Sequence, residues 1–205
     1  MKTKLYIVLA LLCVGVAVMA QNIGTAWLEM PNSLMPYLDR TMRQQLLSQK
    51  AASDTAKAVV QNSLNTSTTL EYMSDSRLDL RMDEGVDMTI VRLPSEQDSI
   101  LCCIKTLSAP EPVSFVTIYN KVWQKIEDVS FNDIVMIQRP DTMTESHYVE
   151  LAKLIEPKMI RAELLSDDKT LVLDLSLPMT SKEEKERLKA ILLQRKVKWN
   201  GAIFK

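Results

Sequence analysis

The sequence predicts an α+β protein in which an antiparallel β-meander sheet has helices packed against it. Three observations indicate this fold. Apolar residues recur at every second position in the central part of the chain, which is typical of strands that bury one face. The flanking regions instead place apolar residues at spacings of three and four, which is typical of helices. Strands and helices do not alternate regularly, as they would in a parallel βαβ sheet.

Residues 1–20 have the features of a secretory signal peptide. Two lysines precede an uncharged apolar run of 16 residues, Leu5–Ala20, which ends in small or modest side chains before Gln21. This run is shorter than the roughly 20 residues that a membrane-spanning helix needs, which disfavours an uncleaved anchor. Cys13 lies inside the run rather than at its end, which disfavours a lipoprotein. We therefore expect cleavage near Ala20/Gln21 and a periplasmic or extracellular mature protein.

The mature chain is predicted to be mildly acidic. Removal of the signal with its two lysines leaves 185 residues, of which 23 are basic and 26 are acidic. Phosphate neutralisation needs clustered basic residues, and the densest cluster, residues 182–198, is interrupted by glutamates, so nucleic-acid binding is disfavoured. A chain of this length can bury a sizeable core as one domain, 21–205, with sub-lobes 21–128 and 129–205 as an alternative.

The first 50 residues of the mature chain are predicted to be largely helical. Gln21–Pro31 is predicted as an extended lead-in that contains Trp27. Asn32 or Ser33 would then cap a helix, because the next apolar residues are spaced by three and four: Met35, Leu38, Met42 and Leu46. A second helix, capped by Ser53 or Asp54, would place four apolar residues on one side: Ala56, Val59, Val60 and Leu64. Residues 62–69 would form its polar exit.

A meander is predicted for residues 69–119. Two strands with alternating apolar residues, 77–82 and 86–90, flank Asp83-Glu84-Gly85, which predicts a three-residue hairpin connection with the glycine in the left-handed conformation. A loop at 94–98 separates them from a third strand, Ile100–Leu107. Prolines follow that strand, and Val113–Tyr119 is predicted as the next one.

The C-terminal part is predicted to mix helices with a second hairpin. Asp133–Gln138 is predicted as a strand, and Thr142 with Glu145 as a capping box for a helix that Pro157 ends. Met159–Leu165 and Thr170–Leu177 would pair around Asp167-Asp168. Ser181 and Glu184 form a second capping box before a helix that buries Leu188, Ile191 and Leu192. Val197–Phe204 is predicted as a closing edge strand.

The scarcity of glycine, histidine and cysteine excludes several kinds of functional site. The mature chain has three widely separated glycines, so it has no phosphate-binding loop and no nucleotide site of the Walker or Rossmann type. One histidine and two adjacent cysteines do not provide the ligand spacing of a zinc site. We expect no cofactor and no metal, although a calcium site built from carboxylates of distant loops stays open.

Two kinds of reactive residue have a functional and a structural interpretation. His147 could act as a general base, but no nucleophile motif accompanies it, so we expect a partly buried, hydrogen-bonded helix residue. Cys102 and Cys103 are adjacent in a predicted strand, where side chains alternate between faces. They are expected to be two small buried side chains rather than a redox pair.

Several segments together resemble one known family. They are Met30-Pro31, Leu34-Met35-Pro36-Tyr37-Leu38, Asp98-Ser99-Ile100-Leu101-Cys102, Pro110-Glu111, Trp123 and Lys198-Trp199-Asn200-Gly201. This set resembles domain-of-unknown-function family 3256, a secreted family of Bacteroidetes-type bacteria. The resemblance spans nearly the whole mature chain and implies an exported protein of single-unit architecture. It implies no activity, substrate or site residue.

The leading functional prediction is an exported, non-catalytic binding or structural protein of the cell envelope, with an unknown envelope or extracellular partner and membrane contact only through the cleaved signal. The predicted interaction surface is an exposed sheet face or edge around five charged residues: Arg77, Asp79, Arg81, Asp87 and Arg92. One alternative is a carboxylate-dependent glycan hydrolase, which would place two acids in a cleft flanked by tryptophan. A third is a periplasmic folding or assembly factor with an apolar surface groove.

Overall fold

The computed structural model describes residues 22–53, 57–96, 99–156, 158–177 and 181–205. The predicted signal segment therefore lies outside the described residues, as do the predicted cap Asp54, Ala56, Asp98 and Pro157. Within these ranges two antiparallel sheets and four α-helices form an α+β fold, which confirms the predicted class. No helix in the described ranges is long and apolar enough to cross a bilayer.

Seven strands form the large sheet in chain order. They are β1 (Ala58–Gln61), β2 (Ser67–Met73), β3 (Arg77–Asp83), β4 (Val86–Pro94), β5 (Ser99–Leu107), β6 (Val113–Tyr119) and β7 (Lys125–Asp128). Each strand pairs antiparallel with the next one along the chain. The predicted meander is confirmed, and β1 and β7 extend it on both sides.

The hairpin between β3 and β4 lies where it was predicted, but its turn geometry differs. Asp83 pairs with Val86, so the loop has two residues, and a register shift before Asp83 makes Met82 the bulged residue. Gly85 does not adopt a positive φ. Its N–H donates to the Asp83 carboxylate at 2.7 Å, and this side-chain turn stabilises the loop without a left-handed residue.

The N-terminal segment is helical rather than extended. Helix α1 (Ile23–Leu28) begins after Asn22, whose side chain accepts the Thr25 N–H at 2.8 Å. The prediction overlooked that Ile23 and Trp27, one helical turn apart, are both fully buried. Helix α2 (Arg40–Ala52) is capped by Asp39, whereas the predicted caps Asn32 and Ser33 lie in a short 3-10 helix.

The predicted second helix is wrong, because residues 58–61 form β1. Val59 and Val60 are β-branched and favour the extended conformation, and β1 pairs with β2 over all four of its residues. The predicted polar exit is the connecting turn and the start of β2. Asn62 closes this turn by accepting the N–H groups of Leu64 and Thr66.

Three strands form the small sheet, in the order β10-β9-β8. They are β8 (Met159–Leu164), β9 (Thr170–Ser176) and β10 (Arg195–Lys198). The predicted hairpin of β8 and β9 is confirmed. The predicted closing strand starts two residues earlier, at Arg195, and gives way after Lys198 to a single bridge between Trp199 and Phe204.

Two helices accompany the small sheet: α3 (Glu145–Lys153) and α4 (Lys182–Leu188). The capping box of Ser181 and Glu184 is confirmed at the start of α4. The other predicted box is wrong, because Thr144 rather than Thr142 caps α3. The predicted strand at 133–138 is also wrong. This segment makes one isolated bridge, between Ile137 and Leu192, and is not a member of either described sheet.

The large sheet buries apolar residues on both faces. One face packs against α1 and α2 through a first core that includes Trp27, Leu78 and Ile90. The other face packs against the small sheet through a second core, which includes Ile104 and Leu171. A third cluster joins α3, α4 and the end of β9. The sheet is therefore the central layer of the molecule.

Candidate functional site

Two of the five predicted surface residues lie at the junction of the two sheets. Arg77 bonds Asp79 at 2.9 Å, contacts Asp168 at 3.5 Å, and donates to the Leu165 carbonyl at 3.3 Å. Burial acts to lower the pKa of the Arg77 guanidinium, but its hydrogen bond to Asp79 and the charges of Asp79 and Asp168 raise it overall. Arg77 and Asp79 thus link β3 to the β8–β9 turn and are only partly exposed.

The other three predicted residues are more exposed and already have partners. Arg81 forms ion pairs with Asp87 at 3.2 Å and with Glu71 at 3.3 Å. Arg92 donates to the carbonyl of Asp75 at 2.7 Å. The structure therefore divides the predicted surface into a structural junction, an exposed ion-pair cluster and a separate arginine of β4 that bonds the β2–β3 turn.

A polar groove of about 200 Å³ lies between β3–β5 and β8, with Arg77 and Arg161 among its lining residues. Acids balance these cations, since Asp87 and Glu163 line the same groove. The Ser114 hydroxyl accepts the Ala162 N–H at 2.9 Å and donates to its carbonyl at 3.2 Å. The Ser114 hydroxyl thus satisfies the backbone N–H and C=O of Ala162 at the outer edge of β8.

The two cysteines lie on opposite faces of β5, as predicted. Cys102 is buried in the second core and half-buried Cys103 packs against the first. Desolvation raises the pKa of the Cys103 thiol to about 12, and it also raises the pKa of Cys102. Both side chains are therefore thiols rather than nucleophilic thiolates at neutral pH.

His147 and the tryptophans occupy different environments. His147 is exposed on α3 rather than partly buried, and its backbone N–H donates to Thr144. Trp27 and Trp123 are buried together in the first core. Trp199 is buried in the second core, where its Nε1 donates to the Pro94 carbonyl at 2.6 Å. Neither Trp27 nor Trp123 flanks an open cleft.

The two edges of the large sheet differ in their protection. At β1, the Gln49 side chain accepts the Val59 N–H at 2.8 Å and donates to the Val59 carbonyl at 3.2 Å. One amide thereby occupies, at Val59, the position that a residue of a neighbouring strand would take. At β7, no described strand pairs with the outer side, and all four residues are exposed. An uncovered edge can pair with a further strand, although β7 is short, charged and bulged at Ile126, three features that limit such pairing to a suitable segment.

The hairpin that presents β7 is held by its own side chains. The Asn120 carbonyl Oδ1 accepts the N–H groups of Val122 at 3.0 Å and Gln124 at 2.9 Å. Trp123 has a φ of 62°, an uncommon value for a bulky residue, and its Nε1 donates to the Ala26 carbonyl at 2.7 Å. Buried packing of this indole therefore maintains a strained turn directly before β7.

Beside β7 lies a small apolar slot, which we call the β7 slot. Its walls include Ile100, Ile118, Ile126 and Trp199, and its volume is about 280 Å³. Ile126 is 56% exposed. The charged residues among its described lining are Glu96 and Glu127. The slot therefore combines an apolar wall with a negative rim next to an unpaired strand.

Sequence reasoning did not assign these residues to a site. The Lys125–Asp128 segment is short and highly charged, and nothing local shows that it is the last strand of a sheet. One available signal was Ile126, an apolar residue between charged neighbours that follows the predicted Val113–Tyr119 strand at hairpin distance.

Comparisons with known proteins extend the predicted resemblance. A family model described as "Protein of unknown function (DUF3256)" matches residues 15–204. A solved structure of a domain of an uncharacterized protein from Porphyromonas gingivalis W83 superposes with a TM-score of 0.74 at 18% identity, covering 89% of this chain and 98% of that one. This likeness concerns the fold. No curated protein matches the sequence.

Proposed function

Since the chain belongs to the DUF3256 family of proteins of unknown function, we propose its activity from its own surface: it is an exported, non-catalytic binding protein of the cell envelope. The observation that carries this proposal is the asymmetry of the large sheet. One edge, β1, is blocked by the Gln49 amide, whereas β7 is exposed beside an apolar slot. Exposed strand edges bind partners through main-chain hydrogen bonds.

Export is proposed from the N-terminal sequence. The basic start, the apolar run and the small residue at position 20 are typical of a cleaved signal. N-terminal sequencing of the protein recovered from its native host should begin near Gln21. An intact Met1 on the protein recovered outside the inner membrane would contradict cleavage.

A glycan hydrolase is the second candidate, and one observation favours it. Glu96, Glu127 and Trp199 all line the β7 slot, and a pair of carboxylates at a set separation is what such an enzyme requires. The isoleucine walls favour an apolar side chain over a sugar, because they offer the sugar hydroxyls no hydrogen bonds. Turnover of envelope glycans that Glu96→Gln or Glu127→Gln abolishes would replace the binding proposal with the enzymatic one.

The binding proposal is tested with the purified mature protein on an inert support. Solubilised envelope fractions are passed over it, and over a matched support carrying an unrelated exported protein. We expect one or a few components to bind saturably and to elute with free mature protein. A folding factor would instead retain many unrelated unfolded chains. If no component is enriched over the control at any loading, the binding proposal is wrong.

A further inference from the structure

We propose that the β7 edge takes an extended peptide segment of a partner protein, whose slot-facing side chains are an apolar residue between two basic ones. This inference rests on the proposed binding function and specifies its site and the chemistry of its ligand. The segment would lie along Lys125–Asp128 as an eighth strand and place its apolar side chain in the β7 slot.

The backbone of β7 offers hydrogen bonds on its outer side. The Val129 N–H donates to the Val116 carbonyl at 2.8 Å, and antiparallel pairs alternate between bonded and non-bonded residues. Asp128, opposite Thr117, therefore directs its N–H and C=O away from β6. A register shift makes Ile126 a bulged residue of β7, and the bond from Asn120 N–H to the Gln124 carbonyl shows that Lys125, beyond the bulge, also faces outward. An added strand would find two donors and two acceptors at these positions.

The slot supplies side-chain selectivity. Ile126 is exposed at the edge itself, and Ile100, Ile118 and Trp199 continue the apolar wall behind it. A branched aliphatic side chain of the added strand would cover Ile126 and fill space between these walls. Water would then be released from the apolar surfaces of both partners, which favours association.

Charge identifies the partner as basic. The Lys125 ammonium is paired with Asp128 of the same strand, and Glu127 and Glu96 are the charged residues in the described lining of the slot. In an extended peptide, residues two positions apart share a face at a distance of about 6.6–6.8 Å. Lysines on either side of the central apolar residue would therefore lie along the slot near these carboxylates.

The short length of β7 disfavours a second copy of this chain as the occupant. Pairing over four residues buries far less than the roughly 1,200 Å² of a stable interface. Weak, transient complexes form through smaller interfaces, so the same contact area is compatible with a peptide segment.

Rigidity of the hairpin favours binding. Asn120 fixes the loop through two backbone N–H groups, and the buried Trp123 indole anchors it to α1. Association is weakened by the ordering of mobile segments, so a strand that is already ordered loses less conformational entropy on binding. The partner segment alone would have to become ordered.

The probe for this site is the fluorescein-labelled peptide Thr-Lys-Thr-Ile-Thr-Lys-Thr, titrated with the mature protein and followed by fluorescence anisotropy. We expect saturable binding that weakens with added salt. Ile126→Ser should weaken it about tenfold, because part of the apolar contact is lost. Val59→Ser, a change to an exposed valine on the blocked β1 edge, is the matched control and should leave affinity within twofold.

Reversal of one charge in the slot gives a second test, because unfolding of the variant could not invert its preference between two peptides. Glu127→Lys should weaken binding of the lysine peptide and strengthen binding of Thr-Glu-Thr-Ile-Thr-Glu-Thr, so that the preference inverts. Circular dichroism and thermal unfolding confirm that each variant is folded. If neither peptide responds to Glu127→Lys, the charge argument is wrong.

The outcomes separate this inference from the function on which it rests. If envelope components bind the wild-type protein and Ile126→Ser equally, or if the lysine peptide fails to bind at millimolar concentration, the β7 assignment is overturned while the binding function stands. If nothing in the envelope binds the wild-type protein, both fail. Sedimentation showing a dimer that Ile126→Ser abolishes would assign the edge to a second copy and overturn the peptide inference.

Discussion

Replacing Gln49 with alanine tests the role assigned to its side chain at the β1 edge. The substitution removes two hydrogen bonds, those with the Val59 N–H and C=O. A hydrogen bond in a folded protein contributes about 1 kcal/mol net, so their loss costs about 2 kcal/mol. Alanine regains a few tenths of a kcal/mol through its higher helix propensity within α2. We therefore expect the free energy of unfolding to fall by about 1–2 kcal/mol.

Urea denaturation followed by far-UV circular dichroism measures this change, with Gln45→Ala on the exposed side of the same helix as the control. Gln49→Glu keeps an acceptor for the Val59 N–H but no donor for its carbonyl, so it should lose about half as much stability as alanine. Sedimentation velocity should also show concentration-dependent self-association of Gln49→Ala, since its β1 edge is uncovered. Equal stability of Gln49→Ala and Gln45→Ala, with no self-association, would refute the reasoning.

Three further substitutions test contacts elsewhere in the fold. Arg43→Met removes the Arg43 hydrogen bonds to the buried carbonyls of Trp27 and Met30 and should lower the free energy of unfolding by about 2–5 kcal/mol, measured by urea denaturation. Arg43→Lys should be intermediate. A decrease below about 1 kcal/mol for Arg43→Met would contradict this. Burial raises the pKa of the Cys103 thiol to about 12, whereas the unfolded thiol has a pKa near 9.0. Ionisation above pH 9 therefore favours the unfolded state, so the free energy of unfolding should fall as pH rises above 9. This fall should be smaller in Cys103→Ala. An equal fall in both proteins, measured as urea midpoints at pH 8 and 10.5, would argue against this cause. Ser181→Ala removes the α4 cap and should lower the free energy of unfolding by about 1 kcal/mol in the same assay, whereas Ser48→Ala on α2 should change it little.

The parts of the fold that the sequence predicted correctly depend on short-range patterns. Alternation over 77–82 and 86–90 identified two strands, because a strand that buries one face repeats every two residues. The Ser181–Glu184 capping box was recognisable because both of its hydrogen bonds lie within four residues. Such signals do not depend on the rest of the chain.

The errors depend on contacts between distant segments. The segment at β1 reads as helix by apolar spacing, and only its pairing with β2 makes it a strand. Arg43 is fully buried and donates to the carbonyls of Trp27, in the last turn of α1, and of Met30, just after it, which no local pattern indicates. The candidate site escaped prediction for the same reason. Its walls come from separate segments, and an edge strand is defined by the neighbour that it lacks.

The blocked β1 edge also limits stoichiometry. A sheet with two open edges can join others end to end without limit, since every addition presents a fresh edge to the next molecule. Gln49 removes one of the two edges of this sheet from such growth. With the proposed segment bound at β7, the large sheet would keep no second edge as open as β7, so we expect one segment per copy at this sheet. The Gln49 side chain thus hinders the addition of further strands to the large sheet at β1.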